Sequence, residues 1–140
     1  MCLERTRKAP KTYANRKVAW KAVHLREDGN IECEFARQTL PIHETVAPEP
    51  EHEHTTTCTY SPKHVGYFSV FLHKHEAIKY CFRFRMILTT VRIPGVDVIG
   101  KEPVYINQPG YYKPTLCGLV KTVKVIKVKS YNALKESQGD

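Results

Sequence analysis

The sequence predicts an α+β fold, with a mainly antiparallel β-sheet and one short helix packed on it. Two observations support this class. Most apolar stretches alternate with polar residues at every second position, as in strands with one buried face. Only one stretch repeats its apolar residues with the period of a helix. The chain has 140 residues, a length that suits one domain, and we expect that domain to cover residues 1–129.

The clearest local prediction is a β-hairpin near the N-terminus. Residues 17–25 alternate, with Val18, Trp20 and Ala22 on one face, and residues 31–35 alternate again. Between them lies Glu27-Asp28-Gly29-Asn30, whose glycine and asparagine accept positive φ at little cost. Two alternating runs joined by such a turn are typical of a hairpin.

The middle of the chain is predicted to contain a long loop, a buried strand and a helix, in that order. Residues 41–62 hold four prolines and a run of acids without periodicity, which predicts a long loop. Residues 66–71 predict a buried strand. Residues 74–84 then place Ala77, Ile78, Cys81 and Phe82 on one face, which predicts the helix.

The C-terminal half is predicted to be mostly strands. Residues 107–114, with two prolines and a glycine, predict a loop. In the last strand the alternation breaks at Val125-Ile126, which indicates a bulge or burial of both faces. The polar tail, 130–140, is expected to fray. The predicted strands are 87–93, 96–99, 104–106 and 119–128.

The chain is strongly basic, with 22 Lys and Arg against 14 Asp and Glu and a net charge of +8. Basic residues are concentrated in residues 1–17 and 121–129, and acids in residues 44–53. Such a surface attracts nucleic acids, nucleotides or acidic proteins. The alternative is a solvated surface that keeps the protein soluble.

Composition also bears on location. No apolar run approaches the roughly 20 residues of a membrane span, and the basic N-terminus precedes no signal-like apolar region. The five cysteines are irregularly spaced without a C-x-x-C pair, which favours reduced, buried thiols. We therefore expect a soluble cytoplasmic protein (of the host cell, if it is viral) without a membrane partner.

The chain contains histidine, cysteine and serine side chains that can bind metals or act as nucleophiles, but no sequence motif identifies a metal site or an active site among them. Imidazoles and thiols between His52 and His75 lack the spacing of a known zinc motif, so neither a metal nor a cofactor is predicted. Cys58, Cys81 and Ser69 lack a nucleophile signature. No Gly-rich phosphate loop occurs. The sequence assigns no catalytic residue, leaves enzymatic activity open and favours a protein without it.

The candidate ligand site is a basic cleft containing tyrosines. Tyr111 and Tyr112 offer stacking surfaces, Asn107 and Gln108 can contact base edges, and Lys113 can contact a phosphate. The alternative is a proline-braced loop whose tyrosines cover the edge of the core. Arginine forks bind phosphates well, and alternation places three lysines on one face of the last strand. These further candidates are Arg83, Arg85 and Lys121, with Lys127 and Lys129.

Met1-Cys2-Leu3, the block Gly66 to Leu72, and a helix holding Ala77 and Tyr80 resemble small uncharacterised proteins of phages and bacteria. The resemblance extends over residues 1–129. Ser69 stands where those proteins often have histidine, and the acidic loop is an addition. The family implies no activity and no catalytic residue, but it implies a phage-type accessory protein.

The order of strands and helix also resembles ADP-ribosyltransferase-like folds, which hold NAD in a split sheet. Those enzymes use a glutamate near the final strands, whereas residues 115–129 of this chain contain none, and Glu102 is the candidate that precedes them. The leading hypothesis is a binding protein that holds a nucleotide or nucleic acid, with an anti-defence role against a host protein complex. The alternatives are an ADP-ribosyltransferase-like or nuclease-like enzyme acting on NAD or RNA, and a protein-binding adaptor or inhibitor. Oligomeric state is left open.

Overall fold

The computed structural model describes residues 4–33, 38–49, 66–101 and 115–137. In these residues it has ten strands and three helices. They are, in chain order, β1 (Glu4–Lys8), α1 (Lys11–Ala14), β2 (Val18–Leu25), β3 (Ile31–Cys33), β4 (Thr39–Leu40), β5 (Thr45–Val46), β6 (Phe68–Phe71), α2 (Lys74–Phe84), β7 (Ile87–Arg92), β8 (Val98–Lys101), β9 (Leu116–Val120), β10 (Val123–Lys129) and α3 (Tyr131–Ser137).

All ten strands belong to one sheet, in the order β1-β8-β9-β6-β2-β7-β10-β5, with β3 and β4 attached to β2. Every pair of named strands is antiparallel. On one edge, β2 pairs with β7 from Val18 to Val23. On its other edge, β2 meets β6 only at Trp20–Phe71 and then turns to β3. The sheet therefore forks beside β2.

The sheet curves so that its inner face closes on one core. The chain passes from β9 to β10 through two residues, Lys121 and Thr122, although these strands belong to different halves of the sheet. Val120 and Val123, on either side of that corner, are both fully buried. The fully buried members of this inner core are Ala19, Val23, Phe68, Val70, Leu72, Val91, Val120 and Val123.

The outer face carries the two longer helices. The helix α2 packs on β2, β6 and β7, and α3 packs on α2 and β7. Aromatic pairs hold these contacts, with ring centroids 5.1 Å apart for Phe71 and Tyr80 and 5.9 Å apart for Phe82 and Tyr131. No helix in the described parts of the chain is long and apolar enough to cross a membrane.

A lysine fills the fork beside β2. Lys21 lies on the inner face and is only 8% exposed. Its ammonium donates to the Ser69 carbonyl (2.9 Å) and lies 5.7 Å from the centre of the Phe68 ring. The Lys21 carbonyl in turn accepts from the Thr89 hydroxyl (2.8 Å). The lysine thus supplies a donor where β6 has separated from β2, because a buried carbonyl without a donor is costly.

The predicted mainly antiparallel sheet, the hairpin of residues 18–25 and 31–33, and the helix over residues 74–84 are confirmed. Residues 34 and 35 of the predicted second hairpin strand lie outside the described residues. The prediction of a single helix is wrong, because α1 and α3 also form. The predicted loop 41–62 contains β5, and its residues 50–62 lie outside the described residues, as do 104–114. The predicted last strand is two strands, β9 and β10, and the break in alternation is a shift in register between Val125 and Lys127.

The polar tail does not fray as predicted, since residues 131–137 form α3. The Ser130 hydroxyl accepts a hydrogen bond from the Ala133 N–H (3.2 Å), which caps the helix start. Leu134 is 1% exposed and joins the outer core with Leu88 and Met86. The buried Leu134, together with the Tyr131 ring contact, therefore anchors a segment whose composition is otherwise that of a free terminus.

Replacing Leu134 by alanine should lower the free energy of unfolding by about 2–4 kcal/mol, because a fully buried leucine leaves a cavity. Urea denaturation followed by circular dichroism measures this change. Asn132→Ala, at an exposed position of the same helix, should alter stability by less than about 0.5 kcal/mol. Equal effects of the two substitutions would mean that α3 is not docked.

Candidate nucleic-acid interface

Part of the outer face of the sheet is left open beside α2. Val91 and Val125 point into the inner core and are buried, so their neighbours Arg92 and Lys124 point outward. The outward positions on β7 and β10 include four cations, which we call the basic face. They are Arg92, Lys124, Lys127 and Lys129.

The bulge in β10 makes this arrangement possible. Val125 pairs with Val91, but Lys127 pairs with Thr90, so one residue of β10 is absorbed between them. Without that shift, strict alternation would direct Lys127 into the core together with Val125. With it, Lys124 and Lys127 lie on the same outer face, although they are three residues apart.

Arg92 and Lys124 are directly opposite each other on adjacent strands. Side chains so paired have Cβ atoms about 5 Å apart, and like charges there are destabilising. The ion pairs seen among the described residues belong instead to Arg26, which contacts Asp28 at 3.5 Å and Glu32 at 3.9 Å. Within the same residues no carboxylate forms an ion pair with the basic face.

Trp20 lies in the same row of the sheet as Lys127. Both residues pair with Thr90, one from β2 and the other from β10. Since adjacent strands are about 4.8 Å apart, the row places Trp20 about 10 Å from Lys127. The indole packs against the outer core and remains partly exposed. An aromatic surface thus lies beside the cations.

The residues proposed from the sequence are only partly described. Tyr111, Tyr112, Lys113, Asn107 and Gln108 lie outside the described residues, and so does Glu102. The tyrosine cleft therefore stays a prediction.

The structure does describe the three other candidates, and it does not bring them together in one cluster. They are Arg83, Arg85 and Lys121. Arg83 is partly buried, with its guanidinium 5.6 Å from the Phe84 ring centre. Arg85 is exposed at the end of α2, with φ of 53°. That end lies near Lys129, since Lys129 pairs with Leu88. Lys121 precedes the opposite end of β10, roughly 20 Å away along the strand.

Arg92 was not among the sequence candidates, and Trp20 was assigned only to a strand face. Alternation in residues 87–93 indicated that Arg92 points away from the core. However, its position opposite Lys124 depends on which strands pair, and no local pattern shows that. Plain alternation would group Lys121 with Lys127 and Lys129, whereas the bulge groups Lys124 with them.

A shallow cavity of about 580 Å³ lies at the tip of the β2–β3 hairpin. Its lining combines Leu25 and Arg26 with three carboxylates, two of which already pair with Arg26. The Asn30 backbone N–H donates to Asp28 at 3.0 Å, and this bond, together with the Arg26 charge, lowers the pKa of that carboxyl. These charges stabilise the turn and leave little to attract a ligand.

The described cysteines are free and buried, as predicted: Cys33, Cys81 and Cys117. Burial raises the pKa of the Cys33 thiol above its ordinary value of 9.0, and the nearby Lys21 charge opposes that rise only in part. The described residues contain no cluster of three or more His, Cys, Asp or Glu side chains suited to a metal.

We expect these three thiols to resist iodoacetamide in the native protein and to react fully in denaturant, because the reactive thiolate is disfavoured by burial. Mass spectrometry of the alkylated peptides measures both states. For Cys33 the raised pKa also predicts that stability is complete below pH 9 and falls above it, since the unfolded chain loses that proton first. Rapid native labelling of Cys33 would contradict its placement in the core.

No protein-family model, curated protein or solved structure matches this chain.

Proposed function

We propose that this protein binds nucleic acid through the basic face. The observation that carries the proposal is the direct opposition of Arg92 and Lys124, with Lys127 and Lys129 on the same face and no carboxylate of the described residues paired with them. A sheet gains nothing in stability from such an arrangement. A phosphate-rich ligand would neutralise it and release counterions on binding.

The arrangement favours a polymer over a single nucleotide. The cations extend along β10 from Lys124 to Lys129, a length of roughly 14 Å because the bulge absorbs one residue, which exceeds one phosphate group. A nucleotide pocket would instead gather its cations around one point. The predicted tyrosine loop is the only feature that favours a mononucleotide, and it lies outside the described residues.

Fluorescence anisotropy with a labelled mixed-sequence oligonucleotide tests the proposal. The expected result is binding that weakens steeply between 50 and 200 mM salt, with a slope of log K against log salt of about −2 to −3 for three or four phosphate contacts on one strand. Absence of binding at low salt would overturn it. Phage accessory and anti-defence roles, and a host protein partner, are further proposals that would require this binding to occur in infected cells.

A further inference from the structure

The lysines of β10 are evenly spaced on the outer face. Because the bulge absorbs one residue, Lys124, Lys127 and Lys129 pair with Arg92, Thr90 and Leu88, which are alternate residues of β7. Alternate residues on a strand are about 7 Å apart. This spacing is close to the separation of successive phosphates along one nucleic-acid strand, so consecutive phosphates can contact consecutive lysines.

Trp20 is placed to contact a base of that strand. It is the only tryptophan of the chain, it is partly exposed, and it lies in the row of Lys127, about 10 Å from β10. Thr90 lies between them, and its short side chain does not block the path from Lys127 to the indole. A base whose phosphate contacts Lys127 can therefore reach the indole across Thr90.

We propose that the basic face binds single-stranded nucleic acid, with the backbone along β10 and one base against Trp20. This inference rests on the proposed function and names its substrate class. A base can stack on a side chain only when its own face is free, as in a single strand and not inside a duplex. The positions of the helices support the same choice. The helix α2 packs on β2 and β7, and α3 begins two residues after Lys129. Both helices therefore flank the basic face and favour the narrower single strand over a duplex.

The test compares a labelled single strand with its own duplex, using anisotropy for binding and tryptophan emission for contact with Trp20. The expected result is quenching of Trp20 by the single strand and affinity about tenfold tighter than for the duplex. Trp20→Leu should weaken single-strand binding about tenfold and leave the weaker duplex binding unchanged. Circular dichroism of Trp20→Leu shows independently whether the variant is folded.

The outcomes separate this inference from the proposed function. Binding of both forms with equal affinity, or single-strand binding without a change in tryptophan emission, would overturn the single-strand proposal and leave the proposed function standing. No anisotropy change with either form would overturn both. The wild-type emission measurement decides the matter even if Trp20→Leu fails to fold.

Discussion

Replacing Lys124 by glutamate should weaken nucleic-acid binding about tenfold and leave the fold at least as stable as before. The substitution removes one phosphate contact and places a negative charge beside the remaining cations, so the salt slope should become shallower by about one contact. It also turns a like-charge pair with Arg92 into an attractive pair across two strands, a change worth about 0.2–1 kcal/mol. Anisotropy titrations and thermal unfolding measure the two effects.

Lys79→Glu is the matched control, since it changes the net charge equally at an exposed position of α2. It should alter affinity by less than about twofold, because it removes none of the cations of the basic face and exposed charges are screened by solvent and salt. Lys127 provides a second comparison. It pairs with Thr90 and not with a cation, so Lys127→Glu should weaken binding without the gain in stability. Equal losses of affinity from Lys79→Glu and Lys124→Glu would mean that only overall charge matters.

Replacing Gly95 by alanine should destabilise the fold by about 2–4 kcal/mol. Gly95 has φ of 142°, a conformation open almost only to glycine. A Cβ atom there would lie 2.3 Å from the backbone oxygen of Ala14, so α1 or the turn after β7 must move. Urea denaturation gives the change in the free energy of unfolding.

Gly29→Ala is the control for backbone strain alone. Gly29 also has positive φ, 87°, but a Cβ there would meet no atom within 4 Å. It should cost about 1 kcal/mol, and the difference between the variants measures the contact with α1. Similar losses in both would show that Gly95 does not pack against Ala14 as described.

The contact at Gly95 also bears on the basic face. The preceding residue, Pro94, accepts a hydrogen bond from the Lys17 ammonium (2.8 Å), and the Ile93 N–H donates to the Lys17 carbonyl (2.9 Å). These contacts fix the end of β7, where Arg92 lies beside Val18. We therefore expect Gly95→Ala to weaken nucleic-acid binding as well, at temperatures where the variant remains folded.

Local sequence patterns were sufficient to predict some strands and helices of the fold but not others. The hairpin was predictable from alternation on both sides of Asp28-Gly29, and α2 from its four apolar residues on one face. In contrast, α1 has four residues and none of them is buried, so its sequence carries no periodic signal. The helix α3 buries only Leu134, and its position depends on packing against α2 and β7.

The candidate site was predictable in composition and not in geometry. The lysines near the C-terminus indicated an anionic ligand, and the broken alternation at Val125-Ile126 indicated a bulge. The partner of Lys124, however, is Arg92, more than thirty residues earlier in the chain, and their pairing follows from the order of strands in the sheet. Trp20 joins them for the same reason, because β2 is the next strand beyond β7.

Lysine acetylation footprinting tests the location of the site most directly. The full-length protein is modified with and without a saturating single-stranded oligonucleotide, and mass spectrometry compares the rate at each lysine. The basic face predicts protection of Lys124, Lys127 and Lys129, with Lys79 unchanged. Protection confined to other lysines, such as Lys113 in the predicted tyrosine loop, would contradict the account and place the ligand elsewhere.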